Sequence, residues 1–393
     1  MMILTTLVKV ITMILSFVIV AFSTRLWGAE GKGYIALFTT DLGLIAIFCN
    51  VFSSSSVSYY ISRVCVSKLA TQAYLWVSGV SGVLAVILSL LGDFTLTLPL
   101  FMASVLLGFI TFQSSLFVGG QKIKYYNLIA LLQPLLLLMF MLGIYYVNKD
   151  FGYYSYFYGQ IISLTIVFFI ARRLSIKVYG KAKFDLDKTA VKQSFMFGWQ
   201  TELSNLLQLL NYRLSYYFLK LFVDINSVGV FSIGVAISEA IWVFSKSISL
   251  VQYSNVLKQG NTKAAKKDTV TASIYSLFAS VLCIVFVFLL PESVYVFIFG
   301  SEEFASVKYI LLLLSPGILA IAVTNVYGNY FSAIGKLKIL IIKSAVGVVF
   351  TVILSVILIP RLQITGACIV NAVSYIVSST ILVIAFCRHK AIS

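Results

Sequence analysis

Charged side chains inside two apolar stretches have types and spacing suited to holding an ion or an anionic group. Glu202 and Arg213 are about three helical turns apart, with Asn205 on the same face. In the next apolar stretch, Glu239 and Lys246 lie about two turns apart on one side. Arg213 and Lys246 could bind a phosphate-like anion, because a guanidinium group donates two parallel hydrogen bonds and a lysine supplies a mobile charge.

Three more charged residues lie near the N terminus. Lys9 and Arg25 are further candidates for anion binding, although both could instead reach the membrane surface. Asp41 lies about two turns into the second apolar run. We expect Asp41, Glu202 and Glu239 to balance the cations or to couple an ion, since acids inside spans are costly. A polar stripe on the first run, which we expect to be shielded from lipid, comprises Thr5, Lys9, Thr12, Ser16 and Ser23.

The residues that would support an enzyme or a metal site are missing from this sequence. The single histidine, His389, lies in the C-terminal tail, and no Gly-x-x-x-x-Gly-Lys-Ser/Thr phosphate loop occurs. The five cysteines show no Cys-x-x-Cys spacing. We therefore predict a protein that is not an enzyme and has no metal or resident cofactor. A coupling ion, H⁺ or Na⁺, is left open.

The composition is typical of a protein that crosses a membrane many times. Only 11% of the 393 residues are charged and the mean hydropathy is +1.01, whereas soluble domains carry about 25% charged residues. A spanning helix needs about 20 apolar residues, and runs such as 128–147 argue against the short alternating strands of a barrel. We predict an all-α polytopic membrane protein with about 12 transmembrane helices.

The distribution of basic residues gives the expected topology. With the N terminus in the cytoplasm, 20 Lys and Arg residues fall in inner segments and six in outer ones. Cytoplasmic loops collect basic residues, so both termini are predicted to lie inside. The same rule explains the net charge of +16, and we expect no nucleic-acid partner. The apolar runs are 3–24, 33–60, 71–92, 97–118, 126–147, 153–171, 195–222, 228–256, 270–290, 304–331, 337–358 and 364–386.

A basic stretch divides these runs into two sets of six. Residues 172–192 hold seven of the 29 basic residues and are predicted to be a cytoplasmic linker, with an attraction to anionic lipid. It would join an N-terminal six-helix bundle, residues 1–171, to a C-terminal six-helix bundle, residues 193–393. A shift of 196 residues places Gly33 over Gly229, a faint match that favours a parallel repeat of the kind found in two-bundle transporters.

Two segments resemble the polysaccharide-export flippases of the MOP superfamily, the Wzx-type or O-antigen flippases. The segment TRLWGAEGKGYIALFTTDLGL (24–44) looks like the family's first outer turn, an Arg-Leu-x-Gly-x-x-Gly-x-Gly pattern running into the second span. The segment NYRLSYYFLKLFVDINSVGVFSIGVAISEAIW (211–242) is similar to the family's seventh and eighth spans. Family members often carry an acid just after the arginine of span seven, where this chain has Ser215, so no coupling role is expected there.

The resemblance implies a V-shaped, MATE-like pair of six-helix bundles in the bacterial inner membrane. Such a protein moves an undecaprenyl-pyrophosphate-linked oligosaccharide from the inner to the outer leaflet by alternating access, in O-antigen and lipopolysaccharide biosynthesis. The implied partners are that lipid-linked oligosaccharide, membrane lipids and the polysaccharide polymerase machinery. The implied lumen is cationic and faces the pyrophosphate and the sugars. Its candidate head-group ligands are Arg213, Lys246, Lys9 and Arg25.

Two other transporter classes have a similar number of spans. A multidrug antiporter of the MATE type moves organic cations and should carry acids without nearby cations, whereas acids and bases are mixed here. A major-facilitator sugar or anion transporter should carry a Gly followed by an Asp and basic residues after its second span, which RVCVSKLAT (63–71) lacks. We rank the flippase first, the antiporter second and the major facilitator third.

Overall fold

The protein is built of α-helices, as its composition predicts. The computed structural model describes residues 2–91, 94–258 and 262–389, and these ranges contain no β-strand. Three single-turn 3₁₀ helices are Phe94–Leu96, Lys149–Phe151 and Glu302–Ser306. The α-helices are α1 Met2–Ser53, α2 Ser55–Tyr60, α3 Val66–Leu91, α4 Thr97–Gly119, α5 Ile123–Val147, α6 Tyr154–Tyr179, α7 Lys188–Phe222, α8 Ile225–Lys258, α9 Thr262–Leu289, α10 Glu292–Phe299, α11 Val307–Ala333 and α12 Leu337–Arg388.

The helices α1 and α12 each bend at a single residue. Gly28 has φ 64° and ψ −163°, and Gln363 has φ 51° and ψ −127°. Glycine adopts a positive φ readily because it lacks a Cβ atom. Pro360, which has no backbone N–H, precedes the second bend. The apolar runs predict loops at 25–32 and 359–363, and the structure has a one-residue bend at each place instead.

If the two arms of each bent helix, α1 and α12, are counted separately, twelve described helical segments are long enough to cross a membrane. The arms are 2–27 and 29–53 in α1, and 337–362 and 364–388 in α12; the shortest segment, α4, has 23 residues. Eight helices also pass a test of apolar composition, with α1 and α12 each counted once. The helices α6 and α7 are long enough but carry more polar side chains. The predicted all-α, multi-pass protein is confirmed, and these twelve segments are consistent with the predicted number of spans.

The chain forms two compact units. The first unit comprises Met1–Trp27 and Leu37–Leu206, and the second comprises Gly28–Ala36 and Leu207–Ser393. A cluster of apolar side chains from α1 to α4 packs in the first unit, and another from α8, α9, α11 and α12 packs in the second. The buried members of the first cluster are Val51, Phe52, Val57, Leu69, Ala70, Ala73, Phe112 and Leu116. Those of the second cluster are Val256, Ala265, Tyr327, Tyr330, Phe331, Leu382 and Phe386.

The predicted linker is mostly helical. Helix α6 continues to Tyr179 and α7 begins at Lys188, which leaves residues 180–187 non-helical within the first unit. Asp187 accepts a hydrogen bond from Lys68 Nζ at 2.8 Å and caps α7 by accepting from the backbone N–H of Thr189 at 2.8 Å. The hydrogen bond from Lys68 is the largest cause that lowers the pKa of Asp187 to about 2, and the hydrogen bonds from backbone N–H groups are the next largest. The start of α7 is thus attached to the start of α3.

Residues 28–36 pack against the start of α8 at two glycines. A Cβ atom on Gly33 would lie 2.2 Å from the carbonyl oxygen of Ile225, and one on Gly229 would lie 1.9 Å from that of Ala29. The 196-residue shift maps Ala29 onto Ile225 and Gly33 onto Gly229, so the two contacts are equivalent. All four residues belong to the second unit. The glycines aligned by the repeat therefore meet each other, which supports the repeat.

Candidate functional site

A cavity of about 500 Å³ lies in the first unit, beside the polar stripe of α1. Lys9, Thr12 and Ser16 line it from α1, and Thr5 of the same stripe accepts a hydrogen bond from Asn127 Nδ2 at 3.0 Å. The predicted polar face of the first helix therefore borders a cavity. Polar residues on the other walls, from α5 and α6, are Tyr126, Asn127, Gln133, Tyr156 and Gln160.

Two buried amide oxygens at this cavity have no hydrogen-bond partner among the described residues. They are Oδ1 of Asn127 and Oε1 of Gln160, in side chains that are 5% and 6% exposed. A buried acceptor left without a donor costs about 1–3 kcal/mol, so these oxygens suit a ligand that brings its own donors, such as hydroxyl groups. Sequence reasoning missed both residues, since a single amide in an apolar run carries no visible pattern.

A neighbouring cavity of about 400 Å³ shares part of the same wall. Tyr126, Ala130 and Gln133 of α5 line both cavities. The first unit therefore presents hydrogen-bonding groups in the first half of α5, and Lys9 lines the first of the two cavities. The hydroxyl residues that line the second cavity are Ser54, Ser58, Thr111, Ser114, Ser115 and Tyr126.

The second unit holds an ion pair between its first two long helical segments. Arg213 of α7 donates through Nη2 to Glu239 Oε1 of α8 at 2.7 Å. Its Nη1 donates to the hydroxyl of Tyr216, whose ring centroid lies 5.2 Å from the guanidinium carbon. Glu239 thus pairs with a neighbouring helix and not with Lys246, whose side chain is exposed.

Lys32 adds a second cation to this ion pair. It lies in the 28–36 segment of the second unit, is only 7% exposed, and interacts electrostatically with Arg213 and Glu239. The sequence reading placed Lys32 in an outer loop and gave it no role. The structure corrects this, because the bend at Gly28 keeps the segment helical and packs it on α8. Two cations therefore face one acid, which leaves the cluster one positive charge in excess.

Aromatic side chains stand beside this cationic cluster. Trp242 is 1% exposed, and its ring centroid lies 5.3 Å from that of Tyr212 and 5.8 Å from that of Tyr375. Neither Trp242 Nε1 nor the Tyr375 hydroxyl has a hydrogen-bond partner in the described part of the chain. Arg213 interacts electrostatically with Tyr375. The cluster is thus bordered by rings that retain unused polar atoms.

Polar side chains behind the cluster connect α7 to both arms of α12. Thr351 donates to Asn211 Oδ1 at 2.9 Å, and Ser374 donates to the same oxygen. Ser215, the residue at which this chain departs from the family pattern, donates to Asn371 Oδ1. Ser215 therefore helps to hold α7 against the second arm of α12.

Most of the remaining candidate residues belong to the first unit. Glu202 belongs to the first unit, is 3% exposed, and accepts a hydrogen bond from Asn205 Nδ2 at 3.0 Å. Asp41 is half-buried in the second arm of α1, also in the first unit. Arg25 is exposed near the end of the first arm of α1. The structure therefore pairs Arg213 with Glu239 within the second unit, where Lys246 is exposed, and it assigns Glu202, Asp41, Lys9 and Arg25 to the first unit.

These groups are suited to binding. The described ranges contain no cluster of three His, Cys, Asp or Glu side chains that could hold a metal ion. The cluster of Arg213, Lys32 and Glu239 can bind an anion, since Arg213 uses two of its five N–H donors on Glu239 and Tyr216. The cavity of the first unit can bind neutral hydroxyl groups.

Comparison with solved structures shows a shared fold. The lipid II flippase MurJ, in an inward closed conformation, matches with a TM-score of 0.81 and 14% identity, over 98% of this chain and 87% of the other. An inward-facing MATE-family multidrug transporter of the MOP superfamily matches with a TM-score of 0.71 and 14% identity, over 97% and 93% of the chains. A MOP superfamily transporter from Pyrococcus furiosus, whose binding pocket is reported to have reverse polarity, matches with a TM-score of 0.62 and 14% identity. The match covers 98% of this chain and 94% of the other.

Comparison with sequence families gives the family. No curated protein matches the chain. The family model described as polysaccharide biosynthesis protein matches residues 2–253, well over half of the chain. The chain is therefore a multi-pass membrane protein that shares the fold of these transporters and flippases. It belongs to the polysaccharide biosynthesis protein family.

Proposed function

We propose that this protein moves a lipid-linked oligosaccharide, carried on undecaprenyl pyrophosphate, from the inner to the outer leaflet of a bacterial inner membrane. The transport would follow alternating access, in which substrate or ion binding shifts an equilibrium between two conformations. Membership of the polysaccharide biosynthesis family supports a glycan cargo, and the fold shared with a lipid II flippase supports a lipid carrier. The polymerase machinery that extends such glycans would be the partner on the far side.

The cluster of Arg213, Lys32 and Glu239 carries this proposal. A pyrophosphate needs charge and several donors, and an arginine with a neighbouring lysine supplies both. Glu239 holds the guanidinium in place at 2.7 Å and keeps the cluster from carrying two uncompensated charges. The unpartnered amide oxygens of Asn127 and Gln160 lend separate support, since a glycan is rich in hydroxyl donors.

The most direct test is transport in reconstituted vesicles. Purified protein is inserted into vesicles with a defined polyprenyl-pyrophosphate oligosaccharide, and the lipid that reaches the far leaflet is measured. We expect Arg213→Ala and Lys32→Ala to reduce transport at least tenfold, because an interaction with a charged partner contributes about 1.5–3 kcal/mol. Lys192→Ala, which removes an exposed cation of α7, is the matched control and should transport like the unaltered protein.

A parallel test in cells separates transport from folding. In a strain that depends on this protein, Arg213→Ala should abolish surface glycan and trap the lipid-linked repeat unit on the cytoplasmic face. Arg213→Lys keeps the charge but loses the planar donor pair, so partial activity is expected. Normal glycan display by Arg213→Ala, at unchanged protein abundance, would overturn the assignment of this cluster.

The second candidate function is cation antiport of the MATE type. Glu202 favours it, because this acid is 3% exposed, lies within a long helix and has no ion pair in the described ranges. In a flippase, the same acid would serve to couple H⁺ or Na⁺. Efflux of an organic cation that depends on this protein and is lost in Glu202→Gln would favour the antiporter. Loss of glycan transport in the same variant, without cation efflux, would favour a coupling role in the flippase.

A further inference from the structure

A small cavity lies where the non-helical residues 180–187 meet α3 and α6. Its volume is about 210 Å³, and it lies within the first unit. It shares no lining residue with the two larger cavities of the first unit. The side chains that matter to its chemistry are Thr71, Tyr74, Leu75, Arg172, Lys183 and Phe184.

Two cations at this cavity are held in place but keep unused donors. Arg172 Nη1 donates to the hydroxyl of Tyr74 at 3.0 Å, and the guanidinium carbon lies 5.5 Å from that ring's centroid. The backbone N–H of Lys183 donates to Ser67 Oγ at 3.2 Å, which fixes this residue against α3. The second terminal nitrogen of Arg172 and the ammonium of Lys183 have no protein partner in the described part of the chain.

The two acids nearest in sequence to this cavity interact with Lys68. Asp187 is paired with Lys68, and Asp185 also acts electrostatically on Lys68. Asp185 is fixed by its backbone N–H, which donates to Thr71 Oγ1 at 3.0 Å. The cavity itself is therefore lined by two cations, a hydroxyl group and aromatic rings, with no acid among its lining residues. This combination fits an anion.

The depth and the apolar rim of the cavity identify the kind of anion. Leu75 is 55% exposed and lies nine residues, or about 14 Å, from the start of α3 at Val66. Arg172 lies seven residues, or about 10 Å, from the end of α6. Phe184 is 78% exposed beside the two cations. A phosphate bound by the two cations would therefore have exposed apolar side chains next to it, as the head group of a phospholipid does.

We propose that this cavity binds the phosphate head group of an anionic phospholipid from the inner leaflet. Arg172 donates its remaining N–H groups to the phosphate, Lys183 adds a point charge, and Leu75 and Phe184 pack against the acyl chains. Basic pockets on the cytoplasmic side of membrane proteins bind such head groups. A bound lipid would hold residues 180–187 against the ends of α3 and α6. This proposal does not depend on the nature of the transported substrate.

The test is lipid titration of the purified full-length protein, followed by native mass spectrometry. Phosphatidylglycerol should form a saturable one-to-one complex. The variant Arg172→Gln/Lys183→Gln should bind it at least tenfold more weakly, since a basic residue near the surface contributes roughly a fivefold change in affinity. The conservative variant Arg172→Lys/Lys183→Arg keeps both charges and should retain most of the binding. An unchanged elution profile on size exclusion shows that each variant is folded.

Three results would overturn this proposal. The matched control Lys177→Gln/Lys338→Gln removes two exposed cations that do not line the cavity, and equal weakening by this control would show diffuse attraction only. Equal binding of phosphatidylethanolamine would show that anionic charge is not selected. Competition by inorganic phosphate at concentrations matching the lipid would show a site for a free anion. We expect the control to bind phosphatidylglycerol like the unaltered protein, phosphatidylethanolamine to bind weakly and inorganic phosphate to compete weakly.

Discussion

The glycine contact between residues 28–36 and α8 permits a sharp test of the packing. In Gly229→Ala, the new Cβ atom would lie 1.9 Å from the carbonyl oxygen of Ala29, which is 1.1 Å short of the 3.0 Å below which Cβ contacts essentially never occur. In Gly33→Ala the distance to the carbonyl oxygen of Ile225 is 2.2 Å, or 0.8 Å short of the same limit. Both obstacles are backbone atoms, which cannot rotate away.

The expected cost follows from that shortfall. Overpacking a well-packed contact costs about 1–3 kcal/mol, and here two backbones must separate, so we expect about 3 kcal/mol for either variant. Separation would also move Lys32 from Arg213 and Glu239, since all three depend on the same crossing. We therefore expect a lower thermal unfolding midpoint in detergent and a loss of transport by the protein that remains folded.

Two other glycines provide matched controls. Gly79 in α3 and Gly143 in α5 have no atom within 4 Å of an added Cβ and no positive φ. Alanine there should leave stability unchanged or raise it by about 0.5–1 kcal/mol, because glycine is unfavourable inside a helix. If Gly33→Ala and Gly229→Ala unfold at the same temperature as these controls, the close approach of the two segments is wrong.

Three further changes test other parts of the fold. Asp187→Asn should lower the unfolding midpoint at neutral pH while keeping the α7 cap. Because the pKa of Asp187 is lowered to about 2, the difference from the unaltered protein should persist down to about pH 4 and shrink as the pH falls further, in unfolding scans from pH 7 to 3. Gln363→Gly should raise the free energy of unfolding by about 1 kcal/mol by relieving a positive φ, and calorimetry would show this as a higher midpoint; an unchanged midpoint would contradict this. Thr351→Val should cost about 1–2 kcal/mol in denaturant unfolding, since it removes a buried donor to Asn211; a neutral change would show that Ser374 suffices.

Most of the helical architecture could be predicted from the sequence, since apolar run length is a strong signal in membranes. The interruption of two helices at Gly28 and Gln363 could not, because a polar break in the sequence looks the same whether it forms a loop or a bend. The sequence also could not show where α6 ends within the predicted linker. Its basic residues are polar, yet α6 continues to Tyr179 because charged residues at a helix end can extend into water.

The candidate site was predictable only in part. Spacing along one helix identified Arg213 and Glu239 as unusual, but it could not show that they meet, because their contact joins α7 and α8. Lys32 was missed because position relative to apolar runs suggested a loop. Glu202 and Arg213 share a helix face, yet the chain passes from one unit to the other between them, at Leu206 and Leu207. The unit to which a residue belongs depends on long-range packing, which local sequence patterns do not show.

The assignment of residues 28–36 to the second unit has a consequence for dividing the protein into fragments. A cut within residues 180–187 would yield a C-terminal piece that lacks this segment, and with it Lys32 and the partner of Gly229. Such a piece should not assemble a complete anion site by itself. Co-expression with the N-terminal piece would supply the missing segment in trans. The second unit therefore depends on a nine-residue segment that lies within the N-terminal part of the chain.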